Sequence, residues 1–362
     1  MSKILFTGFP GFLGSELLPR VLRRSPEDKA VCLVQGKFLD QAQARADEIV
    51  GSDPGLIGRI KLVEGDITRP DLGLEKIEKL QAKVREIYHL AAVYDLSVDR
   101  DVAMRVNLDG TRHVLDFAGR CPAFERFQYV STCYVSGRYA GIFTEQDLIK
   151  GQEFNNFYEE TKYLAEVEVQ QRMAGGMPGT IYRPAVVVGN SKTGATQKYD
   201  GPYFVIRWLL KQPLLAVLPV IGDPKSVRVN LVPSDFIVDA ITYLSGLDKS
   251  AGKVYQLADP NPLTVDELIR AIGRATKRHV IRIPALLGPA KFAIDHIPGV
   301  YRLMQIPSAA IDYFVHPTHY TTDQTQTDLK GSGIAVPRFT SYLPNLVRFV
   351  REHPEIGSDA MA

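Results

Sequence analysis

Apolar residues in the first half of the chain come in short runs, each too short for a helix and each followed by a stretch with helical spacing. The first run, Ile4-Leu5-Phe6, closes on Thr7 and meets three glycines, and an amphipathic segment from Glu16 to Arg24 follows. That order predicts strand, tight turn, helix. Ala30–Val34 reads as a second buried strand, Leu39 to Val50 as a helix, and Ile60–Ile67 as a third strand ending in a turn. Glu86–Ala92 is a fourth strand that ends in small residues. Asn107-Leu108-Asp109-Gly110-Thr111 opens or interrupts a helix running to about Gly119. Phe127–Thr132 is a fifth strand, and a helical stretch carrying Tyr158 runs to about Arg172. Regular alternation of this kind predicts an α/β fold with a doubly wound parallel sheet covered on both faces.

From Asn190 the pattern changes. Ser191 to Gly201 is a polar, glycine-containing loop, Tyr203 to Leu210 an apolar helical run, and Gln212 to Pro224 is greasy and broken by prolines. The strand–helix pattern then returns, with strands at Val229–Val232 and Lys253–Ala258 around a helix from Pro233 to Ser245. Thr264-Val265-Asp266-Glu267 is a capping box opening a helix to about Thr276. Ile283 to Leu287 and the segment to Met304 are apolar again, interrupted by Pro289, Pro298 and Pro307. The expected division is residues 1–190 plus 226–259 as a nucleotide-binding domain, 191–225 plus 260–356 as a smaller, mostly helical domain, and 357–362 as a flexible tail. The two greasy stretches fit either a lipophilic pocket or acyl channel, or simply the core of the small domain.

The glycine segment Thr7-Gly8-Phe9-Pro10-Gly11-Phe12-Leu13-Gly14 points to a dinucleotide. Gly8 permits a sharp turn, Gly11 lets backbone approach a pyrophosphate, and Gly14 lets the helix pack close to the strand. The helix amino terminus then offers N–H groups and a positive dipole end to phosphates. An acid just after the second strand binds the ribose 2′-hydroxyl of NAD, whereas basic residues accept the extra phosphate of NADP. Here that strand ends Gln35-Gly36-Lys37 with no acid until Asp40, which favours NADP(H) over NAD(H). Asp66 is placed to accept from an adenine amino group with Ile67 against the ring, or else to cap a turn. Leu90-Ala91-Ala92 keeps bulk away from a cofactor, and Ser131 and Thr132 bring two hydroxyls to a strand end. Tyr158 and Lys162, four apart, stand on one helical face, where an ammonium would stabilise phenolate and lower a phenol pKa of about 10.

Composition changes this picture little. The 362 residues are 45% apolar and 23% charged with a net charge of +2, which suits an ordinary globular protein and argues against nucleic acid. Cys32, Cys121 and Cys133 have no metal spacing and cannot all pair, and no secretory signal is expected, so a reducing cytoplasm is the expected location. Tyr203 to Ile221, the greasiest stretch, carries Arg207, Lys211, Pro213 and Pro219, so no transmembrane segment is expected, though peripheral lipid contact is compatible with it. His316-Pro317-Thr318-His319 does not suit a metal, and none is expected. Cys133 is expected to be a buried small residue, and Arg207, Lys211 and Arg228 to be solvated charges unless they meet a ligand's phosphate.

Taken together, these segments resemble the extended short-chain dehydrogenase/reductases, a family with a Rossmann domain and a smaller carboxyl-terminal substrate domain. The resemblance covers nearly the whole chain and rests on Thr7-Gly8-x-x-Gly11-x-x-Gly14, Gly65-Asp66-Ile67, His89-Leu90-Ala91-Ala92, Asn107-Leu108-Asp109-Gly110-Thr111, Ser131-Thr132, Tyr158/Lys162 and Tyr182-Arg183-Pro184. Phe12-Leu13-Gly14, Arg183-Pro184-Ala185-Val186-Val187-Val188-Gly189 and Val229-Asn230-Leu231-Val232-Pro233-Ser234-Asp235-Phe236 look most like the branch of fatty acyl-CoA reductases and thioester reductase domains. Gln35 departs from the Arg that many NADP-binding relatives carry. The resemblance implies Tyr158 as general acid, Lys162 as its partner and a ribose ligand, and Thr132, or Ser131, as the group polarising a carbonyl. It also implies Asn107 behind the site and Arg183, Pro184, Ala185, Val186 and Val187 beside the nicotinamide. The expected activity is NADP(H)-dependent reduction of a lipophilic carbonyl substrate, small or carrier-bound, with an acyl thioester in view and a homodimer compatible. The alternatives are a nucleotide-sugar epimerase or dehydratase with bound NAD, a hydroxysteroid-type dehydrogenase, and a non-enzymatic nucleotide-binding regulator.

Overall fold

The computed structural model describes residues 2–297 and 307–357. Pro298, the segment onward to Met304, and the last five residues of the expected tail lie outside the described residues. Seven strands form the main sheet: β1 (Lys3–Thr7), β2 (Lys29–Val34), β3 (Ile60–Glu64), β4 (Val84–His89), β5 (Arg126–Val130), β6 (Gly179–Pro184) and β7 (Val254–Leu257). All pair in parallel, in the order β7-β6-β5-β4-β1-β2-β3. The order reverses between β1 and β4, and a crevice opens there at the carboxyl ends of the strands.

Both faces are covered, which is why the strands read as apolar runs rather than as strict alternation. Ile4 and Phe6 on one face of β1 pack with Leu17, Leu18 and Val21 of the Phe12–Arg24 helix and Ile237 and Ile241 of the Ser234–Ser245 helix. Leu5, pointing the other way as a strand's period of two requires, packs with Val114 and Leu115 of the Gly110–Gly119 helix and with Ala165 and Val169 of the Phe157–Ala174 helix.

A second core gathers Val205, Ile206 and Leu209 of the Pro202–Leu210 helix with Leu268, Ile269 and Ile272 of the Val265–Thr276 helix and Leu343, Leu346 and Val347 of the Phe339–Glu352 helix. The capping box is formed as its sequence predicts, Glu267 N–H donating to Thr264 Oγ1 at 3.1 Å and Thr264 N–H to Glu267 Oε2 at 2.8 Å.

The fold differs from the sequence expectation in three places. The greasy segment after Gln212 contains a strand, Leu215–Ile221, paired in parallel with His279–Ala285. Pro219 is tolerated because a two-stranded ribbon has only edges, so a strand can lack an N–H on its open side. Residues 318–329, expected in the substrate domain, lie against the nucleotide domain instead. Thr318–Tyr320 pairs with Gly141–Phe143, Leu329 joins the main-sheet core, and Asp328 accepts from Lys253 Nζ at 2.6 Å and Tyr255 OH at 2.8 Å. Finally, β5 ends at Val130, because Thr132 leaves the sheet to cap the turn Cys133–Ser136, its Oγ1 accepting from Tyr134 N–H at 3.2 Å.

Candidate active site

The glycine turn is shaped by backbone contacts. Gly8 has φ +88°, and a Cβ there would come within 2.7 Å of Ala91 N and of the Leu90 carbonyl carbon. The turns after β1 and β4 therefore touch through bare backbone. Gly11 was expected to make room for a pyrophosphate, yet a Cβ on Gly11 or Gly14 would first meet the Gly8 carbonyl oxygen, at 2.8 and 2.5 Å. Both glycines let the turn fold back onto the start of the Phe12–Arg24 helix. Gly11, the N-cap, brings no side chain to that terminus, so no side chain caps the first N–H groups.

A cavity of about 890 Å³ runs along this crevice. Of the residues singled out from sequence, Thr7, Gly8, Pro10, Gly11, Phe12, Leu13, Gly14, Gln35, Lys37, Asp66, Ile67, Leu90, Ala91, Ala92, Ser131, Thr132, Tyr158, Lys162, Pro184, Ala185, Val186 and Val187 line it. At the end near β2, Asp66 caps its own turn, Oδ1 accepting from Thr68 N–H and Thr68 Oγ1 at 2.8 Å each. Burial pushes its carboxyl upward, but these bonds, one from Gln35 and the nearby Arg69 outweigh it and hold it below the usual range. Lys37 lies over the Phe38 ring, 4.8 Å from its centroid, and Arg69, which sequence reasoning missed, lines the same end.

At the other end the Phe157–Ala174 helix, capped by Asn156 Oδ1 accepting from Glu159 N–H at 3.0 Å, carries Tyr158 and Lys162 to the cavity. Lys162 is 4% exposed; its Nζ donates to the Val130 carbonyl at 2.8 Å and to Tyr129 OH at 3.1 Å. Burial lowers its pKa to about 7, against an opposing pull from Glu166. Tyr158 shares a side-chain hydrogen bond with Thr132, and burial raises its phenol above the ordinary value, with the Thr132 bond opposing and Glu159 and Asp200 reinforcing the rise. The expectation of a depressed phenol pKa therefore fails for the protein alone: burial dominates, and Tyr158 holds its proton.

Two expected contacts are corrected. Arg183 does not line the cavity: it is fully buried, donating to Glu166 Oε1 at 2.6 Å and to the Asp147 carbonyl at 2.8 Å. The Ser131 hydroxyl is committed to Glu166 Oε2 at 2.5 Å, which leaves Thr132 as the hydroxyl beside Tyr158. Asn107 does not line the cavity and is buried beside it. It sits in a π-helical turn, Met104–Asp109, which brings its Oδ1 within 2.8 Å of Val93 N–H and its Nδ2 within 3.0 Å of Thr161 Oγ1. It thus ties the loop after β4 to the helix that bears Tyr158.

Beneath the site a hydrogen-bonded chain links His89 to Thr7 (2.7 Å, Nδ1) and to Thr111 (3.0 Å, Nε2), and Thr111 donates to the Asn107 carbonyl at 2.6 Å. Because the Thr111 hydroxyl donates to Asn107, His89 Nε2 carries the proton and Nδ1 accepts from Thr7. Cys133 is fully buried with Sγ 3.0 Å from the Arg183 carbonyl, and burial pushes its thiol up. Sequence reasoning also missed Tyr94, Tyr134, Lys198, Asp200 and Tyr313, which line the cavity near Tyr158. No local signal marks them, since only the fold of the 190–201 loop brings Lys198 and Asp200 there. Arg207 instead lies over the Tyr199 ring and Arg228 donates to the Pro262 carbonyl at 2.6 Å; neither lines the cavity.

The sequence matches the profile of the Male sterility protein family over residues 6–241. It is 28% identical to a linear gramicidin synthase polypeptide of Brevibacillus parabrevis over 279 residues, 74% of this chain and 5% of that protein. It is also 28% identical to the alcohol-forming fatty acyl-CoA reductase of Simmondsia chinensis over 196 residues, 48% of this chain and 40% of that one. The chain thus spans well under two thirds of these relatives. Its structure superposes on the crystal structure of the terminal R domain from the myxalamid PKS-NRPS biosynthetic pathway with a TM-score of 0.83 and 25% identity, covering 99% of this chain and 92% of that one. With the glycine turn, the sheet order and this profile in agreement, the chain belongs to the Male sterility protein family, within the extended short-chain dehydrogenase/reductases that include thioester reductase domains and fatty acyl-CoA reductases.

Proposed function

We propose that this protein is an NADPH-dependent reductase of acyl thioesters, the acyl group being carried on a carrier protein or on coenzyme A. One observation carries the reading: Tyr158, Thr132 and Lys162 share a continuous cavity with the bare-backbone glycine turn. The nicotinamide, when bound, supplies the hydride for the carbonyl carbon. Tyr158 gives its proton to the carbonyl oxygen as charge develops there, and the Thr132 hydroxyl steadies that charge. Lys162, held in a cationic state by a ribose and by Glu166, offsets the phenolate left behind. The hemithioacetal so formed releases thiol and aldehyde, and a second round gives the alcohol. Preference for NADPH is supported by Lys37 and Arg69 at the cavity end and by the lack of an acid directly after β2.

The purified chain is to be mixed with NADPH and an acyl-CoA, following loss of the reduced cofactor and appearance of aldehyde or alcohol. Tyr158→Phe is expected to lower turnover about 10²- to 10⁴-fold while cofactor affinity stays within a few-fold. Interconversion of a UDP-sugar without net NADPH oxidation would overturn the reading in favour of an epimerase.

A further inference from the structure

Close to Tyr158 the cavity wall holds a carboxylate for which the reduction has no use. Asp200 precedes the Pro202–Leu210 helix, and its side chain is 15% exposed. It shares a hydrogen bond with the Tyr94 phenol and makes a loose ion pair with Lys198, Nζ to Oδ2 at 3.9 Å. The Lys198 ammonium also donates to the Tyr94 carbonyl at 3.4 Å and lies 4.6 Å from the centroid of the Tyr94 ring. That ring stands edge-on to Tyr158, centroids 5.0 Å apart and planes at 68°. An aromatic face, a carbonyl oxygen and a carboxylate thus meet on one primary ammonium, partners that suit an alkylammonium and nothing anionic.

The cation facing this buried carboxylate, Lys198, approaches it only to 3.9 Å. Burial raises the Asp200 pKa, and the opposing pulls of Lys198 and the Tyr94 hydrogen bond do not cancel that rise. A cation placed closer than Lys198 would be favoured there.

We propose, resting on the thioester-reductase reading, that Asp200 and Tyr94 recognise a substrate ammonium near the reacting carbonyl, so that the preferred acyl group bears an amine. Lys198 occupies this position in the structure and acts as an internal competitor that the substrate displaces.

Two measurements test this on the full chain loaded with NADPH. The first compares kcat/KM for β-alanyl-CoA with that for butyryl-CoA, which replaces the amine by a methyl group of similar size. Asp200→Asn is expected to lower the ratio at least tenfold and Lys198→Met to raise it several-fold. The second titrates n-butylammonium against n-butanol by calorimetry, without turnover. Asp200→Asn is expected to weaken the ammonium at least tenfold, and Lys198→Met to tighten it. The opposite signs protect the test against a variant that merely misfolds. A ratio and an ammonium affinity both indifferent to Asp200 would overturn the proposal, as would weaker ammonium binding in Lys198→Met. If neither thioester is reduced but ammonium binding follows Asp200, the reductase reading falls and the ammonium site stands.

Discussion

Lys162 and Tyr158 are one helical turn apart, yet burial acts on them in opposite senses, pulling the lysine down to about 7 and pushing the phenol up. Both shifts favour the uncharged form, as desolvation must. The spacing of the pair is visible in sequence; the sign of the phenol's shift is not, because it depends on the depth of the cavity. Lys37 offers a sharper residue-level test. It lines the cavity end beside Gln35 and Arg69. If it meets a 2′-phosphate, Lys37→Glu should raise the NADPH Kd at least tenfold and the NADH Kd by less than threefold, read by fluorescence titration. Equal effects would remove that role. Arg183 is instructive too: its motif position is next to Pro184, which lines the cavity, yet its side chain meets Glu166, one helical turn beyond Lys162. With Glu166 fully buried, the guanidinium is held by that carboxylate instead of reaching the cavity.

At the scale of elements, the glycine turn shows how much a local motif dictates. Gly8, Gly11 and Gly14 all answer to backbone: Gly8 to the loop after β4, the other two to the Gly8 carbonyl. Gly14→Ala would place a methyl 2.5 Å from that oxygen, so the helix start must move away from the turn. A loss of about 1–3 kcal/mol in stability is expected, as for overpacking elsewhere. Cofactor affinity should drop at least tenfold, because the helix N–H groups move with it; denaturant melts with and without NADPH separate the two effects. The π-helical turn at Asn107 is a second element-scale feature. A motif at the start of a helix marked the place, but the widened turn that brings Asn107 to both Val93 and Thr161 is seen only in the structure, where it meets the Phe157–Ala174 helix.

For the whole molecule, buried imidazoles couple stability to acid. Burial, with Lys162 adding to it, lowers the His89 pKa to about 3, and burial with His319 does the same to His316. An unfolded imidazole titrates near 6.5, so above that pH both states are neutral and stability does not respond. Below it the unfolded chain takes up protons that the folded protein refuses, and each histidine removes about 1.4 kcal/mol per pH unit until about pH 3. Stability by urea denaturation should therefore fall from pH 6.5 to 4. His316→Gln should flatten that slope by about 1.4 kcal/mol per unit; an unchanged slope would show that His316 is accessible to protons in the native state.

What the amino-acid sequence determined by itself was the sheet and its ligand end: apolar runs of strand length alternating with amphipathic helices, and three glycines whose missing side chains a tight turn requires. These features act over a few residues, so they are legible without knowing what packs against them. The tertiary structure alone decided which way Arg183 and Ser131 face, the pairing of Leu215–Ile221 with His279–Ala285, the return of residues 318–329 to the nucleotide domain, and the meeting of Tyr94, Lys198 and Asp200 beside Tyr158. Each of these is a contact between residues far apart in the chain, settled by the burial of charge and apolar surface, and burial is a property of the assembled molecule.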